Sequence, residues 1–454
     1  MVISMKCSIK IPRWPTPSHL THKRTRPHQA KVILLLLLLT LSPTCSRDRN
    51  SAAGSLAGKN VLIITLDTTR ADSLGCYGRR QAKTPTLDAL AKAGVMFERA
   101  YSQIPLTLPS HCSMFTGKYP RELGVVHNGM TSLGKRHTTL AEMAHEAGYA
   151  TAAFVASFVL DARFGLEQGF DTYLDEMDPV QDEGTDSDEA QLSGDQVTDR
   201  ALSWLDGQKD KPFFCWVHYY DAHDPHSRPK GLSGEFATVY DSEVAFVDLQ
   251  VARLLAWLKS AKLDEDTLIV VVGDHGESFG EHGEKGHGSF LYDTTQHVPL
   301  IFVHPEAVTA GRSVPQFVEI IDLFATVCTL MDWQAPDELL SRSLDPALQS
   351  GQIEEMGCYG ESLHAFHSYH WAEQHCLIKS GFKYISSTKP ELYDLVNDPG
   401  EKQNLISARV DLASKMREEL LARFDEIPVG TAEKAGSDEQ ARRALEALGY
   451  VSGS

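Results

Sequence analysis

Residues 60–67 read Asn60-Val61-Leu62-Ile63-Ile64-Thr65-Leu66-Asp67, an apolar, β-branched run that ends on a carboxylate. A strand with one wet face would alternate polar and apolar residues. This run does not, so it is expected to be buried on both faces of a parallel sheet. Similar runs occur at Thr151 to Val155, Phe213 to Val217, Leu268 to Val272 and Leu300 to Val303. Helical patterns lie between them, at Leu87 to Ala93, Leu140 to Ala147, Glu243 to Lys259 and Ile321 to Met331, with Gly148 placed as a C-cap. Strands alternating with helices predict an α/β layered domain over 59–340. After about Leu340 the alternation stops. Strand-like pieces at Met356 to Glu361, Cys376 to Lys379 and Phe382 to Ser386 predict a small C-terminal antiparallel-sheet subdomain over 341–454. Two helices, Ala408 to Phe424 and Asp438 to Leu448, are expected to close it. The stretch Asp171 to Asp199 has no Lys or Arg and reads as a solvated acidic insertion.

The 454 residues carry a formal charge of −18. The first 45 hold seven Lys or Arg and no acid; without those seven cations the −18 becomes −25. So acidic a body argues against nucleic-acid binding, which needs a cationic surface. It also repels anionic substrates, so an anion site here needs local positive charge. The basic stretch ends at Lys31, and Val32 to Leu41 is an apolar run too short to cross a bilayer, which takes roughly 20 residues. Residues 1–45 therefore read as a secretory signal, followed by a linker over 46–58. The chain is expected to be exported: periplasmic, envelope-anchored or secreted. Cys45 stands where a lipid-bearing cysteine would give a membrane tether. The other cysteines form no C-x-x-C pair, which excludes a zinc ribbon. Cys358 and Cys376 either pair across neighbouring strands or stand as buried free thiols.

Ligands in open α/β sheets bind at the carboxyl ends of strands. Three polar clusters fall there: Asp67, then Asp221-Ala-His223-Asp-Pro-His226, then Asp274-His275 between Gly273 and Gly276. A single Asp after a strand is commonly a helix cap; three at corresponding ends point to a site. Thr107-Leu108-Pro109-Ser110-His111 precedes a short helix through Thr116. Alone, Thr107 and Ser110 read as caps with Pro109 in the first turn. The same helix N-terminus favours an anion, and a Thr oxygen bound to a metal there could ionise at neutral pH.

Four ordered segments, LDTTRADSLGCYG (66–78), TLPSHCSMFTGKYP (107–120), VGDHGE (272–277) and ELYDLVNDPGEKQNL (391–405), resemble the sulfatase family of the alkaline phosphatase superfamily. The resemblance spans about Lys59 to Leu405. It implies a large sheet flanked by helices, an ester hydrolase, a metal held by Asp67, Asp274 and His275, and Thr107 as nucleophile and further metal ligand. The departures are specific. Sulfatases carry C-x-P-S-R or S-x-P-S-R, whose first residue becomes formylglycine; here it is Thr107, and His111 replaces the Arg. Cys112 does not restore the motif. Thr68 replaces the family's second Asp, His275 replaces the Asn after the late Asp, and the Gly-Lys-Trp-His segment is missing. Phosphodiesterases and phosphotransferases of the superfamily use a Thr nucleophile and an Asp-His metal pair. Nucleotide pyrophosphatase/phosphodiesterases place an Asn 21 residues after that Thr, and Asn128 has this spacing; the likeness implies that it holds oxygens of the reacting group.

A formylglycine hydrate expels sulfate by collapsing to the aldehyde. Threonine cannot, so water must clear its ester, which favours phosphate mono- or diesters or phosphonates over sulfates. Two other readings are a sulfatase without formylglycine and a non-catalytic envelope binding protein. The substrate is expected to be an anionic ester of a small molecule, glycan or lipid. His223 matches the family's histidine near the leaving group and would act as general acid; alternatively Asp221, His223 or His226, and His287 would hold a second metal. Lys285, in the Gly-rich loop GEHGEKGHG, is a candidate source of positive charge. The mixed oxygen and nitrogen ligand set favours zinc or manganese over calcium or magnesium.

Overall fold

The computed structural model of the protein describes residues 56–177, 191–436 and 445–446. The signal segment, Cys45, most of the linker and most of the last expected helix lie outside these residues. The central sheet has nine strands. The apolar run Asn60–Leu66 lies at its middle, parallel to Phe213–Tyr219 on one side and Thr267–Gly273 on the other. The alternate side chains of this strand feed opposite cores. Val61 and Ile63 pack with the helices Thr107–Thr116 and Asp322–Met331, while Leu62, Ile64 and Leu66 pack with Pro85–Ala93, Gly194–Leu205 and Val239–Ala261. This two-sided burial explains the unbroken apolar run. The strand Leu300–Val303 runs antiparallel to its two neighbours, so the sheet is mixed.

Three elements depart from the expectations. Val95–Tyr101 and Arg312–Glu319 are strands, paired in parallel at the sheet's far side. Their sequences, VMFERAY and RSVPQFVE, mix charges and a proline with apolar residues because several positions reach solvent. Within the acidic stretch Thr172–Leu174 adds an edge strand, and the helix Gly194–Leu205 begins. Among the described residues no helix is long and apolar enough to cross a membrane.

The small C-terminal sheet is antiparallel, with strands Cys358–Ser362, Gln374–Lys379, Phe382–Ser386 and Glu391–Asp394 in that order. One face packs on the helix Val410–Glu426 through Met416 and Leu420; the other meets Tyr101 and Phe317 of the main sheet. Its register sets Cys358 opposite Ile378 and Cys376 opposite Gly360, and both thiols are free. The motif around 391–405 has a mechanical role. Lys383, fully buried, pairs with Asp293 and with Glu401 (3.0 Å), and Glu401 also accepts the Asp293 N–H at 2.7 Å. The end of the Gly-rich loop is thereby tied to the small sheet.

Glu361 joins the same sheet to the turn Pro120–Leu123, accepting the Arg121 N–H at 2.8 Å and the Tyr359 hydroxyl at 2.9 Å. Burial pushes its carboxyl up to about 7, above the ~4.3 of an unfolded chain. The folded state thus holds this proton more tightly than the unfolded one. The contribution is complete below about pH 4.3 and is lost as pH rises through 7. Relative to Glu361→Gln, the wild-type protein is expected to lose on the order of 2–3 kcal/mol of stability between pH 4.5 and 8. Denaturant midpoints across that range check it; a difference that does not change with pH would contradict it.

Candidate active site

The level ends of three adjacent strands set the site. Leu66 is in register with Tyr219 and with Gly273, so Asp67 and Asp274 follow directly from neighbouring strand ends. Asp67, Thr107, Asp274 and His275 are all essentially inaccessible to solvent. One ligand atom from each of Asp67, Asp274 and His275 lies within 4.8 Å of the others. Burial drives both carboxyls well above the usual carboxylate range, and for Asp274 the neighbouring Asp67 adds to it.

The hydrogen bonds fix which atoms remain available. His275 Nδ1 donates to the Gly276 carbonyl at 3.0 Å, so its Nε2 carries the lone pair, 3.2 Å from the Thr107 hydroxyl. The same hydroxyl is within hydrogen-bonding reach of Asp67. Asp274 Oδ1 accepts the N–H groups of Thr68 (3.2 Å) and His275 (2.7 Å). Asp67 Oδ1 and Asp274 Oδ2 are buried without any hydrogen-bond partner. Two desolvated carboxylate oxygens and one imidazole lone pair converging around a hydroxyl fit a divalent cation.

Thr107 opens the helix Thr107–Thr116, every residue of which is buried. The cap position is Leu106, with extended backbone, rather than Thr107. Asn128 takes over part of the capping: its Oδ1 accepts the Leu108 N–H at 2.9 Å. Its Nδ2 is buried without a partner. Ser110 is not a cap either; its hydroxyl donates to the Asp274 carbonyl at 2.8 Å and locks the helix to the turn after the strand Thr267–Gly273.

Two buried histidines complete the surroundings. His218 was not singled out by the sequence. Its Nδ1 accepts the Ala156 N–H (3.2 Å), so its Nε2–H donates to Asp67 Oδ2 at 3.1 Å and orients that carboxylate. The signal was a histidine inside an apolar strand one position before its end. His111, in the position of the family's Arg, donates Nδ1–H to the Thr107 carbonyl at 2.8 Å, and burial holds its pKa well below the usual value. It therefore supplies no fixed positive charge.

The remaining candidates separate. His223 and His287 come together, their Nε2 atoms 3.1 Å apart, and the His287 ring lies 4.2 Å from that of His275. Asp221 instead accepts the Gly194 N–H at 2.9 Å and caps the helix that begins there. His226 is held by Glu243 at 2.7 Å. Lys285 is exposed on a short hairpin opposite Phe279.

Comparison with known proteins identifies the family and the fold. The Sulfatase family matches residues 59–333, and the C-terminal family of N-sulphoglucosamine sulphohydrolase matches residues 280–426. The chain is 26% identical to the uncharacterized sulfatase YidJ of Escherichia coli, over 81% of this chain and 87% of that one. It is 25% identical to a Delta 4,5-hexuronate-2-O-sulfatase of Bacteroides thetaiotaomicron, over 78% and 86% respectively. Its fold is similar to that of the phosphonate monoester hydrolase of Agrobacterium radiobacter, with a TM-score of 0.70 at 24% identity, covering 82% of this chain and 96% of that one. With the family matched across the strands, helix and loop that carry Asp67, Thr107, Asp274 and His275, the chain belongs to the sulfatase family and is an ester-bond hydrolase.

Proposed function

We propose that this hydrolase cleaves phosphate mono- or diesters or phosphonates through a covalent intermediate on Thr107. The observation that carries the reading is the Thr107 hydroxyl itself, set against the His275 lone pair and the Asp67 carboxylate where sulfatases carry formylglycine. A bound divalent cation at Asp67, Asp274 and His275 would polarise the substrate and favour the ionised threonine. Thr107 Oγ1 forms a bond to phosphorus as the bond to the leaving alcohol breaks, and the alcohol departs with a proton. Water then attacks the phosphothreonine and restores the hydroxyl. The unpartnered Asn128 Nδ2 donates to a substrate oxygen, and the helix N-terminus faces the same charge. A threonine ester has no aldehyde to collapse to, which is why phosphorus esters are favoured over sulfates. Likeness to a phosphonate monoester hydrolase supports this at the level of fold. The glycan-directed sulfatase among the relatives keeps sulfate esters as the second reading. Export through the N-terminal segment, with or without a lipid on Cys45, would place the reaction outside the cytoplasm.

A panel of aryl phosphate monoester, diester, phosphonate and sulfate substrates tests the reading. Phosphorus esters are expected to turn over; turnover of sulfate alone would reject it. Thr107→Ala is expected to lower kcat by at least about 10³, Thr107→Ser to retain part of it, and Asn128→Ala to cost about 10²–10³. Quenched turnover should leave a phosphoryl group on the peptide containing Thr107, read by mass spectrometry. Undiminished activity of Thr107→Ala would remove the nucleophile.

The metal has a separate test. Without cation, Asp67 and Asp274 repel one another in a site closed to solvent, so Asp274→Asn should melt higher than the wild-type protein in chelator. Added zinc or manganese at ~100 times its Kd should stabilise the wild type by about 2.7 kcal/mol and leave the variant nearly unmoved. Identical thermal shifts in both proteins would exclude Asp274 as a ligand.

A further inference from the structure

We infer that His364 is a positioning residue of the active site, holding Asn128 in place through His127. Three histidines stand in HAFHSYH (364–370); His367 and His370 are exposed, whereas His364 is buried. It opens the short helix His364–Tyr369, which follows the strand Cys358–Ser362 of the small sheet. Ser362 donates its hydroxyl to the Gly288 carbonyl, so this strand end is tied to the Gly-rich loop. Gly288 has φ 100°, and a Cβ there would stand 3.1 Å from Leu106 Cδ2 and 3.4 Å from His364 Cδ2. His364 and Leu106, the residue before Thr107, therefore pack against the same glycine.

The hydrogen bonds have a direction. His127 Nδ1 lies 2.8 Å from the Asn128 carbonyl, which only accepts, so the hydrogen sits on Nδ1. His127 Nε2 then carries a lone pair. His364 Nδ1 stands 3.1 Å from that lone pair and must supply the hydrogen. The two ring planes differ by 21° with centroids 5.1 Å apart, so the rings meet edge to edge, as an in-plane N–H donor requires. Burial lowers the pKa of both rings, that of His364 to about 3, so at neutral pH both are uncharged and the order of hydrogens is fixed. A relay thus runs from His364 Nδ1–H to His127 Nε2, and from His127 Nδ1–H to the Asn128 carbonyl. Asn128 lies in the connection between Pro120–Leu123 and Thr131–Ser132, which has no helix or strand of its own. No ladder fixes its backbone, yet its Oδ1 has to stay on the Leu108 N–H in the first turn of the nucleophile helix. A misplacement of about 1 Å at such a position can cost about 10²-fold in rate. Two planar rings anchored on the C-terminal subdomain supply the restraint that the connection lacks. The relay deepens the proposed function and rests on it for any effect on turnover, whereas the tautomers do not depend on the reaction.

Histidine tautomers give the direct test. In isotope-labelled full-length protein at neutral pH, long-range proton–nitrogen correlation reads which ring nitrogen carries the hydrogen, and His127→Gln and His364→Asn assign the two signals. Hydrogen on Nδ1 of both rings is expected; hydrogen on Nε2 of either one overturns the relay, even where other variants do not fold. Turnover of an aryl phosphoester tests the consequence. His364→Leu, which has no ring nitrogen, is expected to lower kcat about 10- to 100-fold with KM changed less than about twofold. His364→Asn, whose side-chain N–H stands where Nδ1–H stood, should recover most of that loss. In an Asn128→Ala background His364→Leu should cost nothing further, because the two residues act as one unit. A wild-type kcat in His364→Leu, or a loss that persists in full beside Asn128→Ala, overturns the positioning role. Either result together with Thr107-dependent turnover would leave the proposed function standing. Undiminished turnover in Thr107→Ala, with both Nδ1 hydrogens in place and the losses non-additive, would do the reverse.

Discussion

Asp67 and Asp274 are buried side by side, and each keeps one oxygen without a hydrogen-bond partner. Removing two like charges from water at close range is unfavourable by several kcal/mol per ion unless they are matched. Much of the surrounding structure makes sense as support for that pair. His218 fixes one Asp67 oxygen, and the Thr68 and His275 N–H groups fix one Asp274 oxygen. Thr68 itself sits at φ 48°, a left-handed conformation that a β-branched residue rarely adopts. Its hydroxyl donates to the Ala222 carbonyl and its carbonyl accepts the Tyr240 hydroxyl, which hold the turn in place. The local backbone strain, of order 1–3 kcal/mol, lies at the site and serves it by aiming an N–H at Asp274.

The helix Thr107–Thr116 is the second support. A helix buried on every side cannot rely on water at its first turn, so its N–H groups need partners from the protein or from a ligand. Asn128 satisfies Leu108, and Ser110 is tied to the Asp274 backbone. The helix therefore holds its position relative to the carboxylates without a flexible link. Fixed dipoles and fixed ligands act on a developing charge without having to reorganise.

The sequence showed the parts of this design that obey a period or a motif. The central strand was readable because burial on both faces forbids polar residues. Asp67, Asp274 and His275 were readable because they follow such strands directly. The strands Val95–Tyr101 and Arg312–Glu319 were not, because positions that reach solvent admit charges and break the pattern. The roles of His218 and Ser110 were hidden for a different reason. Each depends on a partner far away in the chain, and one amino-acid letter carries no tautomer and no direction. The same limit applied to the polar cluster at 221–226, where three candidates looked alike. In the structure Asp221 caps a helix, His226 meets Glu243, and His223 turns toward His287.

The departures from the family's pattern are connected through charge. An Arg in the place of His111 would bring a permanent positive charge to the nucleophile. His111 brings none, because its environment disfavours the imidazolium. On the proposed reading, an aldehyde hydrate can release its product by collapse whereas a threonine ester waits for water, so its transition states need charge stabilisation in both steps. Losing a fixed cation while adding a second charge-demanding step would be contradictory if the positive charge had simply gone. It is coherent if the charge is supplied instead by a cation that Asp67, Asp274 and His275 would hold. A neutral imidazole at His275 can then replace the Asn, because its Nε2 lone pair would hold the charge rather than carry it. On the proposed reading Thr107, His111 and His275 are one substitution spread over three positions.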